Sequence, residues 1–133
     1  SQGSPLDRIE DFLDQIFRRH RDTCAATARV RGCLLGNLTL EMSATDDDVR
    51  VRLVEAFASF ADRLRKTIDE GMDEGEIPKG DAHLLADQLV AYTEGMILLA
   101  KAQNDAGVIE RLRGGALALL GNPRRDRRSP VKN

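Results

Sequence analysis

Residues 81–104, DAHLLADQLVAYTEGMILLAKAQN, and residues 105–120, DAGVIERLRGGALALL, carry apolar side chains at recurring spacings of three and four. That period is the helical one. Asp81 is placed to cap the first of these helices, and Gly121-Asn122-Pro123 stops the second. In the earlier stretch Leu84, Leu85, Leu89, Tyr92, Met96 and Leu99 form one apolar set, and Val90, Ile97, Leu98 and Ala100 another. The later stretch adds Val108, Ile109, Leu112, Ala116, Leu117, Leu119 and Leu120. A helix apolar over more than one stripe needs burial on more than one side, and a small domain envelops no helix near its end. Gly95 and the Gly114-Gly115 pair each cost roughly 1 kcal/mol of helix propensity against Ala. Such a cost fits places where helix backbones approach closely. These features predict a self-complementary contact, a four-helix bundle built from two helices of each subunit in a homodimer. A larger monomeric core with tolerated glycines is the alternative.

Upstream, Ser4-Pro5 opens a first helix, with Ser4 as cap and Pro5 at the first helical position. Leu6, Ile9, Phe12, Leu13, Ile16 and Phe17 share a face, and the pattern fades near Arg21. Residues 22–31 show no period and are expected to form a connection, at most with a short helix, ended by Gly32. Cys33 to Met42 is apolar on nearly all sides, which predicts a compact helix buried between other elements. Asp46, Asp47 and Asp48 start a long third helix carrying Val49, Leu53, Phe57, Phe60, Leu64 and Ile68, which frays at Gly71 and Gly75. The expectation is an all-α fold of about five main helices.

The 133 residues suit one domain, with 41% hydrophobic residues for a core and 32% charged residues for a surface. Residues 1–4 are expected to be a tag remnant or linker, 5–121 the domain, and 122–133 a basic, disordered tail. A net charge of −2 gives no overall basic field for nucleic acid. No apolar run approaches the roughly 18 residues of a membrane span, so no membrane partner is expected. Two cysteines, Cys24 and Cys33, fit a reducing cytoplasm without excluding a disulfide.

Reactive constellations are missing. No glycine-rich phosphate loop follows a strand, and neither His20 nor His83 completes a metal-binding or Ser-His-acid arrangement. His20 and Cys24, four apart, share a helix face but lack two further zinc ligands. Neither an enzyme, nor a cofactor, nor a metal site is expected.

The segment Gly32-Cys33-Leu34-Leu35-Gly36-Asn37-Leu38-Thr39-Leu40-Glu41-Met42, followed by Asp46-Asp47-Asp48-Val49-Arg50, resembles the central motif of TetR-type transcription regulators. Glu70-Gly71-Met72-Asp73-Glu74-Gly75-Glu76-Ile77 and Glu94-Gly95-Met96-Ile97-Leu98-Leu99-Ala100 are similar to later family segments, in the family's order. Together these strings cover roughly residues 5 to 121. The resemblance implies a C-terminal domain that binds a small organic effector among its central helices and dimerises through its last two. It also implies a helix-turn-helix domain that contacts operator DNA, which no segment here supplies. A truncated or proteolysed piece of a longer regulator is therefore expected, ligand-responsive and most often a repressor. The alternative is a ligand-free helical dimerisation or scaffold module.

By the same resemblance the effector cavity lies among the first four helices, lined by Phe12, Ile16, Cys33, Asn37, Phe57, Phe60, Leu64, Tyr92 and Met96. Asn37 and Tyr92 are the groups expected to orient a ligand in a mostly apolar space. Gly95, Ile97, Leu98, Leu112, Gly115 and Leu119 are the residues assigned to the dimer interface. Cys33 reads first as a buried, inert thiol. A helix N-terminus aimed at its sulfur would instead make it a sensor of electrophiles or oxidants.

Overall fold

A computed structural model describes residues 3–121. The basic tail expected at 122–133, and the first two residues of the expected remnant at 1–4, lie outside the described residues. Five helices follow in order: α1 (Pro5–Thr27), α2 (Leu34–Met42), α3 (Asp47–Asp73), α4 (Ala82–Gln103) and α5 (Gly107–Leu119). No strand occurs among the described residues.

The helix starts follow from local hydrogen bonding. Ser4 and Asp7 form a reciprocal capping box on α1, the Asp7 amide donating to Ser4 Oγ at 3.2 Å. Asp46 Oδ1 accepts from the Val49 amide at 3.0 Å, and Asp81 Oδ1 from the Leu84 amide at 3.0 Å. Two non-glycine residues take left-handed backbone where helices end, Ala28 at φ 61° and Asn104 at φ 51°. They are joined: Asn104 Oδ1 accepts from the Val30 amide at 2.9 Å, and Asn104 Nδ2 donates to the Ala28 carbonyl at 3.1 Å. One side chain thus ties the end of α4 to the connection leaving α1.

α4 is the spine, packed on α3 along one side and on α5 along the other, while α1 bridges α3 and α5. The core fills the space between them with Leu6, Ile9 and Leu13 of α1, Ile68 of α3, Leu89 and Met96 of α4, and Ile109 and Leu117 of α5. Burial of these apolar side chains is the main favourable term, at roughly 25 cal/mol per Å² removed from water.

Two expectations are corrected. The stretch 22–31 is not chiefly a connection, because α1 continues unbroken to Thr27. Cys24, Ala25 and Ala26 need no apolar stripe to stay helical when a long helix already runs into them. The second correction concerns α2, which buries no residue and leaves Leu34 at 70% and Leu40 at 73% exposure. Its nine residues pack mainly on α3, with local contacts to α4 at Gly36 and Asn37, so an all-round apolar sequence is covered only in part.

The core also holds charges. Arg113, fully buried in α5, lies 3.1 Å from Asp14 and 3.5 Å from Glu10 on α1. The two carboxylates sit one helical turn apart among Ile9, Leu13 and Phe17. Ionised groups are buried only with partners of opposite sign, so this cluster locks α5 to α1 in one register.

Candidate functional site

A cavity of about 730 Å³ opens between α1, α2, α3 and α4. Phe12 and Ile16 enter it from α1, Leu35 from α2, Phe60 from α3 and Ile97 from α4. Phe12 and Phe60 face each other with ring centroids 5.5 Å apart. A smaller chamber of about 250 Å³ adjoins it, walled by Asn37, Leu40, Phe57, Gly95, Leu98 and Lys101 among others. Gly32, Cys33, Glu94 and Ile97 border both. The walls are mostly apolar with a few polar groups, the composition of a small-molecule site.

The polar groups are specific. Glu94, on the middle of α4, packs so tightly on α2 that a Cβ at Gly36 would stand 2.7 Å from its Oε2. Cys33 caps α2 beside it, and its thiol pKa is raised. Burial is the largest cause, and hydrogen bonding to Glu94 and that carboxylate's charge add to it. The backbone amides of Gly36 and Leu35 pull the other way without prevailing. The helix N-terminus is where a sensor would need it, yet the neighbouring carboxylate opposes the thiolate. Cys33 is therefore held as a thiol.

His20, buried in α1, sets its Nδ1 at 2.8 Å from the Ile16 carbonyl oxygen. A carbonyl only accepts, so Nδ1 carries the hydrogen, and in the neutral ring Nε2 is left as an acceptor. Thr93, 1% exposed, stands in the same wall with Oγ1 lacking any hydrogen-bond partner.

The structure gathers four of the nine expected lining residues, Phe12, Ile16, Cys33 and Phe60, around the larger cavity. Asn37 and Phe57 border the smaller one. Asn37 is already engaged, donating to the Arg31 carbonyl at 2.8 Å and accepting from Lys101 Nζ at 3.0 Å, so it pins the loop at Gly32. Leu64 borders a separate groove with Arg8 and Phe60, and Met96 is buried in the core. Tyr92 points the other way. Its hydroxyl donates to the Leu112 carbonyl at 2.7 Å, in the seam between α4 and α5.

The six residues assigned to a dimer interface divide similarly. Leu98 and Leu119 are exposed, and a Cβ at Gly95 would meet nothing within 4 Å. Ile97 instead faces the cavities, and Leu112 packs against the chain's own core. At Gly115 an added Cβ would overlap the Tyr92 hydroxyl, so its close helix approach is internal, α5 against α4 of the same chain.

Sequence reasoning missed Glu94, Thr93 and the Arg113 cluster. The cluster had a signal: Ile109, Arg113 and Ala116 share the buried stripe of α5, with Glu10 and Asp14 on that of α1. Among the described residues no group of three or more His, Cys, Asp or Glu side chains is placed to hold a metal ion. Nor is any described helix long and apolar enough to cross a membrane.

Residues 5–115 match the family model described as the tetracyclin repressor-like C-terminal domain. The chain belongs to this TetR family of regulator domains. Its five helices, with no strand among the described residues, are consistent with an all-α TetR-type C-terminal domain. Among full-length relatives it is 38% identical over 102 residues to the HTH-type transcriptional repressor DhaR of Mycobacterium sp. (strain GP1), covering 76% of this chain and 48% of that protein. It is 33% identical over 109 residues to an HTH-type transcriptional regulator in the lacX 3′ region of Lactococcus lactis subsp. lactis, covering 80% and 51%. The transcriptional regulator AcuR of Cereibacter sphaeroides is 36% identical over 101 residues, covering 75% and 44%. The chain thus spans about half the length of these relatives. No solved structure matches it.

Proposed function

We propose that this domain is the effector-binding and dimerisation part of a ligand-responsive, cytoplasmic transcription regulator, acting as a repressor. The observation that carries the proposal is the 730 Å³ cavity walled by four helices in a chain of the TetR family. Two of its walls, α1 and α4, also meet the rigid part of the fold, α1 through the Arg113 cluster and α4 through α5. An effector with different affinity for two arrangements of these helices shifts their populations. In a homodimer that shift changes the spacing of two DNA-reading heads, and with it operator binding. Six residues support a dimer face: Leu84, Leu98, Leu99 and Leu119 stay exposed on α4 and α5, with Gly95 and Ala91 between them.

A thermal-shift screen with small organic compounds tests the cavity. A ligand at 100 times its Kd stabilises by about 2.7 kcal/mol, and stabilisation should disappear when Phe60→Trp fills the space. A screen in which stabilisers survive that substitution unchanged rejects the site. Sedimentation equilibrium at micromolar concentration tests the dimer: a species near twice the 14.7 kDa chain mass is expected, and a folded 14.7 kDa protomer rejects it.

A further inference from the structure

We propose that the ligand this cavity takes is a protonated amine on an apolar body, with its ammonium seated on the Glu94 carboxylate. The inference rests on the effector-cavity reading above and adds the ligand's chemical class to it.

Glu94 is half-buried and borders both chambers, where α4 also contributes Ile97 to both, Thr93 to the larger, and Gly95, Leu98 and Lys101 to the smaller. No basic side chain among the described residues forms an ion pair with it. Lys101, the cation of the smaller chamber, sets its Nζ on Asn37 Oδ1. Arg19 and Arg63 border the larger cavity from α1 and α3, but both are exposed. Water already solvates such rim cations, whereas a carboxylate in an apolar wall lacks that compensation. The thiol of Cys33 occupies only part of Glu94's acceptor capacity, since a carboxylate offers about four lone-pair sites.

Two groups nearby can accept from the same ligand. In its neutral form His20 presents Nε2 as an acceptor, because Nδ1 is engaged by the Ile16 carbonyl. Thr93, next to Glu94 in sequence, brings a buried hydroxyl with no partner. A carboxylate without an ion-pair partner in the wall selects a ligand that donates to it and carries positive charge. Gly36 keeps the approach open, since any side chain there would displace the carboxylate. The apolar remainder of the ligand lies against Phe12, Ile16 and Phe60.

The test uses three compounds of one shape, phenylbutylamine, phenylbutanol and phenylbutyrate, titrated calorimetrically into the chain and into Glu94→Gln and Glu94→Asp near neutral pH. The amine is expected to bind the parent chain at least roughly tenfold more tightly than the alcohol, with the carboxylate weakest. Glu94→Gln should abolish the amine's advantage and leave the alcohol's affinity in place, which also shows that this variant is folded. Glu94→Asp, which keeps the charge, should retain the preference. An alcohol or carboxylate that binds as well as the amine, or a preference that survives Glu94→Gln, overturns the ligand class and leaves the cavity reading standing. Failure of all three compounds to bind removes the cavity reading and this inference with it.

Discussion

Two regions of the molecule leave large apolar side chains in water, and they do so against different backgrounds. The outer face of α4 and α5 exposes Leu84, Leu98, Leu99 and Leu119, but each of these helices is anchored from behind by buried residues. Ala86, Leu89, Met96 and Ala100 hold α4, and Ile109, Arg113, Ala116 and Leu117 hold α5. α2 exposes Leu34 and Leu40 with no buried residue behind them. An apolar face on a rigid backing suits a fixed, self-complementary partner, because little ordering is needed on contact. An apolar helix without one opens at low cost, and ligand-binding elements are drawn from that end of the stability range. Under the proposed function, the contrast assigns association of two copies to the backed face and effector entry to α2, with Gly95 and Leu98 shared between that face and the smaller chamber.

The largest expected effect lies in the rigid region. Arg113→Met leaves Glu10 and Asp14 buried without their guanidinium and should cost about 3–5 kcal/mol, read as a lowered urea midpoint. Converting Glu10 and Asp14 to Gln and Asn in the same chain should recover much of that loss, because the stranded charges are then gone.

Next comes a matched pair across the two regions. Leu89→Ala, at a fully buried site in α4, is expected to cost roughly 2–5 kcal/mol. Leu40→Ala in α2, where the side chain is mostly in water, should stay within about 0.5 kcal/mol. Comparable losses at both positions would erase the contrast.

Two glycines sharpen it further. Gly115→Ala drives a methyl group into the Tyr92 hydroxyl and should cost about 1–3 kcal/mol of fold stability through lost packing and the lost bond to Leu112. Gly95→Ala meets nothing within the chain, so the fold should gain up to about 1 kcal/mol of helix propensity. Its cost is expected between subunits, as weaker association in sedimentation at unchanged or raised thermal stability.

The smallest effect is chemical. Because burial and Glu94 raise the Cys33 pKa, less thiolate is present at pH 8 than for a free thiol, and alkylation by iodoacetamide should be slower. Glu94→Gln removes the carboxylate's share and should speed the reaction only in part, since burial remains. Faster-than-free alkylation of the parent chain would restore the sensor reading of Cys33.

Much of this was legible in the sequence. Periodicity and caps located all five helices, since Ser4, Asp46 and Asp81 act locally and need no tertiary context. Residues 22–27 misled because a helix can continue without an apolar stripe when it needs no burial there. α2 misled for the opposite reason: an all-round apolar pattern suggests burial, yet Leu34 and Leu40 stay exposed. Phe12, Ile16, Cys33 and Phe60 could be grouped from family order, whereas the direction of Tyr92 depends on how closely α5 approaches at Gly115. Glu94 stayed hidden because one acidic residue on an apolar helix looks like a solvated position until its neighbours are placed.

Amide hydrogen exchange along the free chain tests the contrast most directly. Amides of 34–42 should exchange through local opening, far faster than those around Leu89, Met96, Ile109 and Arg113, which should open only with the whole domain. Protection in α2 equal to that in α4 would contradict the account.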